Sequence, residues 1–338
     1  MMSQGNKNLV SLVQMNKKIM SQPSYSWSIA IFAARESTAV LAASIRAALA
    51  ACKGRSAIIN VLINGNQALA QELATMVDCW DSGSCDLQLW SISTPDKAHT
   101  WNEYAHRIWT PGSLAFFVDG YARVMPDAFR EIEQHLVKAP ESWCASGVPT
   151  CGRSATSIRE EMLRSGGIHG NLYSVSSKGM ESIRTTGFRL PLGLYRTDPL
   201  LGAALIFRLD PANNTWEPKR ITVVATATWQ VDNQSLWSLQ SIQGQLKRMV
   251  RQAQGELENR AAREHMAIKR LAPQFLPKTA KELITHWLDE HPAQARALFK
   301  QRPLTFYAAK KVRGLRDWSS VSTLPLLVRS KIAGARSE

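Results

Sequence analysis

The sequence predicts an α/β fold, a mostly parallel sheet with helices on both faces, continued by a basic helical C-terminal extension. Three observations predict it. Between residues 26 and 132, short apolar runs alternate with stretches of helical period. One run, Ser113-Leu-Ala-Phe-Phe-Val-Asp119, ends in a lone carboxylate before Gly120-Tyr121. Open α/β sheets place ligand chemistry at such a carboxyl edge. Charge also shifts along the chain: from Leu236 onward 19 Lys and Arg face 8 Asp and Glu, so this last third carries +11 of the total +14.

Taken in order, residues 1–26 are polar, carry Lys7, Lys17 and Lys18, and have no contiguous apolar core. They read as a flexible lead-in and not as a secretory signal. Residues 26–34 (SWSIAIFAA) form a short apolar run with polar flanks, as a buried strand does. Residues 36–51 repeat Ala, Leu and Ile at helical spacing, and 57–63 are a second strand stopped by the turn Asn64-Gly65-Asn66. A helix over 67–76, a strand over 86–91 and a helix over 97–109 lead to the Asp119 strand, after which Pro126 opens an amphipathic helix. The rhythm then changes. Residues 144–153 read as strand and loop, 169–177 as a strand and 178–186 as a helix. Asp198 before Pro199 suits a helix cap, and 221–229 (ITVVATATW) is the last β-rich run. Residues 236–270 carry one apolar stripe of a long helix. Shorter helices follow over 280–289 and 292–299, then a basic–apolar tail from Lys310 through residues 324–328. The predicted division is 1–25, 26–232 and 233–338.

Composition bounds the function. A chain of 338 residues that is 45% hydrophobic has material for a full core. No run approaches the roughly 20 apolar residues that span a bilayer; residues 39–51 are broken by Arg46. Five cysteines, an odd number without Cys-x-x-Cys spacing, read as reduced thiols of a cytoplasmic protein and not as a zinc or disulfide framework. The basic C-terminal third implies an anionic partner, a phospholipid surface, nucleic acid or a polyanionic acceptor, or else a solvated helical face.

In order, these pieces resemble family 2 glycosyltransferases of the bacterial, inverting, GT-A type, a Rossmann-like nucleotide-sugar-binding sheet. The resemblance covers about residues 26–230. SIAIFAARES is similar to the opening strand, with Glu36 at the acidic position. IINVLINGN resembles the strand that ends in Asp-(Asp/Asn)-Gly-Ser, with Asn64-Gly65 at its end. Lys97-Ala-His-Thr-Trp-Asn102 is similar to the Lys-x-x-x-x-Asn element, FFVDGYARVMPDAF to the Asp-x-Asp strand and its following helix, and LPLGLYRTDPLLGAAL to the Glu-Asp element. Three positions depart from the pattern: Tyr121 replaces the second carboxylate of Asp-x-Asp, Thr197 stands for the Glu of Glu-Asp, and Ile63-Asn64 replaces the second-strand Asp.

The resemblance implies transfer of a sugar from a UDP- or GDP-linked donor to a hydroxyl of a glycan or lipid-linked acceptor, with inversion, in surface polysaccharide or glycolipid synthesis. It implies Asp119 as ligand of Mg²⁺ or Mn²⁺ and Asp198 as general base. It sets Glu36, Asn64, Lys97, Asn102, Gly120 and Tyr121 along the nucleotide sugar. Local readings stand beside these: Asp119 as a strand end that bonds loop amides, Asp198 as a helix cap, Glu36, Asn64 and Lys97 as surface residues. His169 is a metal ligand, an acceptor contact or neither. The basic tail suggests attachment to the cytoplasmic face of an anionic membrane, with an ordinary helical cap on the catalytic domain as its alternative. No nucleic acid partner is expected, since no recognisable module interleaves basic residues with exposed aromatics. A nucleotidyltransferase-like enzyme, a non-catalytic relative and a nucleic-acid-binding protein are the competing readings.

Overall fold

A computed structural model describes residues 25–152, 154–231 and 239–333, so the expected lead-in lies almost wholly outside the described residues. The first strand, β1 (Trp27–Ala33), is buried throughout and apolar except at Ser28, because both its faces are covered. Ile29 and Ile31 enter one hydrophobic cluster and Ala30 and Phe32 the other. There follow α1 (Thr38–Ala51), capped by Ser37, β2 (Ala57–Asn64), α2 (Gln67–Ala74), capped by Asn66, and β3 (Cys85–Ile92). Next come α3 (Lys97–Glu103), capped by Asp96, and β4 (Leu114–Asp119). On β4, Phe116 and Phe117 split between the two clusters, as the two-residue period of a strand requires.

β4 pairs in parallel with β1 on the side away from β2, while β3 lies outside β2. Strand order therefore reverses between β1 and β4. The crevice beyond their carboxyl ends is where open α/β sheets bind ligands.

Beyond β4 the elements are β5 (Arg123–Val124), α4 (Ala128–Lys138), β6 (Cys144–Pro149), α5 (Ala155–Ser165), β7 (Tyr173–Val175), α6 (Ser177–Thr186), α7 (Thr197–Ile206) and β8 (Ile221–Gln230). Then come α8 (Leu239–Arg263), α9 (Ala280–Glu290), α10 (Pro292–Gln301), α11 (Pro303–Arg313) and β9 (Leu326–Lys331). Among the described residues the sheet runs β5-β8-β6-β7-β4-β1-β2-β3-β9. It is more mixed than the sequence suggests, because β7 runs antiparallel to both β4 and β6.

Several expectations change. The helix over 97–109 widens to a π-turn across Tyr104–Ile108, where Tyr104 is buried with its hydroxyl donating to Ser28. The strand over 169–177 shrinks to three residues, because the Leu172 N–H bonds back to the His169 carbonyl in a turn.

The boundary at 232/233 does not separate two cores. Leu257 and Ala261 of α8 and Ile284 and Trp287 of α9 share one cluster with Phe117, Leu201 and Leu205. The last third is not wholly helical either. Residues 326–331 pair antiparallel with β3, Leu87 opposite Lys331 and Ser91 opposite Leu326, and cover what would be an open edge. No helix among the described residues is long and apolar enough to cross a membrane.

Candidate active site

β4 delivers Asp119 to the carboxyl edge of the sheet, and the chain must then pass close to the end of β1. The Gly120 N–H donates to the Phe32 carbonyl at 2.7 Å, and a Cβ on Gly120 would lie 2.9 Å from that oxygen. Strand packing accounts for this glycine. Tyr121, 44% exposed, folds back so that its hydroxyl donates to Asp119 Oδ2 at 3.1 Å.

Lys97 opens α3, where the Asp96 cap accepts the His99 N–H at 2.8 Å and fixes the first turn. From there the Lys97 ammonium donates to Asp119 Oδ1 at 2.6 Å and lies 4.0 Å from Asp198 Oδ1. Asp198 occupies the first turn of α7 and accepts the Thr197 hydroxyl at 3.0 Å. The helix begins two residues earlier than the Asp-Pro string suggests, at Thr197 with Arg196 at the cap, so Asp198 is not the cap. The side chains of Lys97, Asp119 and Asp198 are 31, 13 and 20% exposed. They are shielded enough for their charges to interact strongly and open enough for a ligand to reach them.

Burial pushes the Asp119 carboxyl up, Lys97 draws it down and Asp198 adds to the rise, leaving it above its ordinary value. Burial by itself would lower Lys97, but Asp119 and then Asp198 outweigh it and hold the ammonium above its usual range. His169 flanks the site with its ring 4.9 Å from that of Trp229. Burial lowers its pKa against the pull of Asp198 and Asp119. Its Nδ1 accepts the Asn171 N–H at 3.4 Å, which assigns the proton of the neutral ring to Nε2.

Gly170 packs directly onto the two charged groups. A Cβ there would sit 2.6 Å from Asp198 Oδ2 and 3.1 Å from Lys97 Nζ. We expect Gly170→Ala to leave thermal unfolding within a few degrees of the parent while reducing turnover about a hundredfold, the usual cost of an ångström-scale displacement of a reacting group. Turnover within threefold of the parent would contradict this tight approach.

The other sequence-selected residues take different places. Glu36 accepts the Ala34 and Arg35 N–H groups with Oε2, at 2.7 and 2.9 Å, and so closes the turn after β1. Asn64 is buried at the end of β2, and its Oδ1 has no hydrogen-bond partner among the described residues. Asn102 stands apart: its amide donates to the Leu190 carbonyl at 2.9 Å and accepts the Leu190 N–H at 2.8 Å. Both ends are committed to the backbone, which corrects its assignment to the nucleotide sugar. Asn102 is a clamp on the segment that leads to Asp198.

That segment, residues 190–196, is held from several sides by residues that motif reading missed. Asp96 Oδ2 accepts the Gly193 N–H at 2.9 Å, and Gln254 of α8 donates to the Gly193 carbonyl at 3.0 Å. Glu258, 2% exposed, accepts the Tyr195 N–H at 2.8 Å and the Arg196 N–H at 3.0 Å. Leu192 exchanges backbone hydrogen bonds with Lys278 and Ala280. A Cβ on Gly255 would lie 2.6 Å from Arg196 Nε, so this glycine, unfavourable within a helix, lets Arg196 cross α8. A polar pair at positions 254 and 258, one helical turn apart beside apolar Leu257, is the signal available in the sequence.

The donor set does not fit the divalent ion that the resemblance implies. Asp119 gives one oxygen to the Lys97 ammonium and the other to the Tyr121 hydroxyl. Among the described residues no group of three or more His, Cys, Asp or Glu side chains forms a metal-holding cluster. Such hard divalent ions take one or two carboxylates and fill the rest of their shell with water and phosphate oxygens. The obstacle here is the ammonium, which at 2.6 Å already holds the carboxylate that would bind first.

No protein family matches the chain by sequence, and no curated protein does. Among solved structures it is similar to a mannosyltransferase from Pyrobaculum calidifontis in complex with GDP-Man and Mn²⁺. The TM-score is 0.52 at 13% identity, over 90% of this chain and 91% of that one. The fold is GT-A. Residues 1–349 of Staphylococcus aureus TarS, in complex with UDP-GlcNAc, align with a TM-score of 0.44 at 12% identity, over 84% of this chain and 80% of that one. The share of the mannosyltransferase aligned bears on the C-terminal helices: in this GT-A chain they belong to the same body as the sheet.

Proposed function

We propose that the chain is a glycosyltransferase that moves a sugar from a nucleoside-diphosphate donor to an acceptor hydroxyl in one inverting displacement. One observation carries this reading: Asp119, Lys97 and Asp198, from three separate elements, meet at the carboxyl edge where the strand order of a GT-A sheet reverses. In the reaction the acceptor oxygen bonds to the anomeric carbon, the bond from that carbon to the diphosphate oxygen breaks, and the acceptor proton passes to Asp198. Asp198 is the base because it faces the cluster from α7, opposite the strand that carries Asp119. Tyr121, 44% exposed and in contact with Asp119, lines the donor side. The test is titration with UDP, GDP and their sugars, followed by assay of nucleoside diphosphate release. Binding of no nucleotide or nucleotide sugar would overturn the reading. Trp27, Trp101, Trp109, Trp143, Trp229 and Trp287 are core residues, which weakens the nucleic-acid alternative by removing them as base-stacking platforms.

For the acceptor we propose a lipid-linked glycan met at an anionic membrane surface. Support comes from α11, where Thr305, Ala308 and Ala309 face the core while Phe306 and Tyr307, 58 and 55% exposed, stand beside Lys310, Lys311 and Arg313. Aromatic and basic side chains on one outward face suit a headgroup region, each basic residue adding ~1 kcal/mol. The double variant Lys310→Glu, Lys311→Glu is expected to weaken co-sedimentation with phosphatidylglycerol vesicles at least tenfold without changing nucleotide binding. Equal sedimentation of parent and variant would refute membrane docking through this face.

A further inference from the structure

Phosphate chemistry at the carboxyl edge needs a positive charge beside Asp119, and the chain provides one of its own. The Lys97 ammonium stands 2.6 Å from Asp119 and 4.0 Å from Asp198. It does not arrive there as the loose end of a surface side chain. Its helix is anchored by the Asp96 cap, the backbone at Gly170 packs against it, and its nitrogen lies 6.0 Å from the centre of the Phe32 ring. The second carboxylate that would strengthen a metal site is Tyr121, whose hydroxyl occupies the remaining oxygen of Asp119. With Lys97 charged, the two aspartates and the lysine together carry a net charge of −1, a weak attraction for a divalent ion.

We propose that Lys97 is the resident cation of this site and that the donor's diphosphate is bound without a divalent metal. This rests on the glycosyltransferase reading and adds to it the means by which negative charge on the departing diphosphate is met. The ammonium keeps its contact with Asp119 on one side and turns its other donors to the phosphate oxygens, as a compact point charge with three N–H groups can. Fixed in place by its helix, it needs no reorganisation as the charge develops. The site would thus take a nucleoside diphosphate or its sugar directly.

The test is calorimetric titration of the full chain with UDP, GDP and their sugars, first in EDTA and then in excess Mn²⁺. For whichever nucleotide binds, the dissociation constant is expected to agree within threefold between the two conditions. Lys97→Met should raise it at least thirtyfold in EDTA, and Lys97→Arg should recover part of that loss. Mn²⁺ alone, followed by the disappearance of its free-ion paramagnetic resonance signal, should not bind at 100 µM, on the order of the affinity that a pair of carboxylates already held by an ammonium lacks. A tenfold or greater loss of nucleotide affinity in EDTA overturns the proposal, and so does Lys97→Met binding as the parent does. The first comparison uses the unaltered protein, so a variant that fails to fold cannot decide the matter. Absence of nucleotide binding in both conditions would instead defeat the glycosyltransferase reading, and this proposal with it.

Discussion

Asp198→Asn is expected to reduce sugar transfer about a thousandfold while nucleotide affinity changes by no more than about threefold. The amide is isosteric, keeps an oxygen for the Thr197 hydroxyl at the position where Oδ1 now accepts it, and fits the same first turn of α7. What it lacks is the capacity to take a proton from the acceptor hydroxyl, and loss of a general base costs about 10²- to 10⁴-fold. Binding is largely preserved because the closer contact of Lys97 is with Asp119, not with Asp198. The measurement is nucleoside diphosphate release under saturating donor and acceptor, with thermal unfolding as the control for folding. Transfer within tenfold of the parent would remove Asp198 from the role of base.

The electrostatic consequence can be read separately. Asp198 adds to the rise of the Asp119 carboxyl above its ordinary value, after burial and against the pull of Lys97. Neutralising position 198 removes that contribution, so Asp119 stays ionised to a lower pH in the variant. Binding that depends on the Asp119–Lys97 pair should then persist further into acid than in the parent, a sign that follows from two like charges sharing one ammonium.

Much of this arrangement could be read along the chain, and the limits have identifiable causes. β4 was legible because an apolar run buried on both faces ends at one ionisable residue, and that pattern needs no tertiary knowledge. α7 was legible from Thr-Asp-Pro, although its first turn starts two residues early. β9 was not: its sequence, LLVRSK, is short and basic, and its partner is β3, which lies more than two hundred positions earlier. Asn102 misled because a motif fixes residue type and spacing but not direction. Its amide turns to the Leu190 backbone, 88 positions away, which no local pattern records. The same long-range packing makes the basic third part of the body that holds the sheet. Charge pointed only to an anionic partner or a solvated face, whereas α8 and α9 also carry partners of the segment that precedes Asp198.

Glu258 gives the sharpest test of that dependence. Replacing it with Ala leaves the Tyr195 and Arg196 N–H groups without their acceptor in an interior where Glu258 itself is 2% exposed. Buried donors deprived of a partner cost about 1–3 kcal/mol each, so a destabilisation of about 2–5 kcal/mol is expected in denaturant unfolding. Gln restores one acceptor and turns its NH₂ towards the other donor, so Glu258→Gln should recover part of the loss. Burial raises the Glu258 carboxyl above its ordinary value, against the lowering effect of the two backbone bonds and Gln254. For such a group the stabilising contribution is complete below the unfolded-state value, about 4.3, and declines as pH rises through the higher folded-state value. The stability gap between parent and Glu258→Gln should therefore narrow as the pH is raised from acid to neutral. A purely structural role would end there, but the segment held by Glu258 leads within two residues to Asp198. Under conditions where Glu258→Gln is fully folded, its turnover number should fall at least tenfold with the donor KM little changed. A folded variant with parental turnover would show that Asp198 keeps its place without this support.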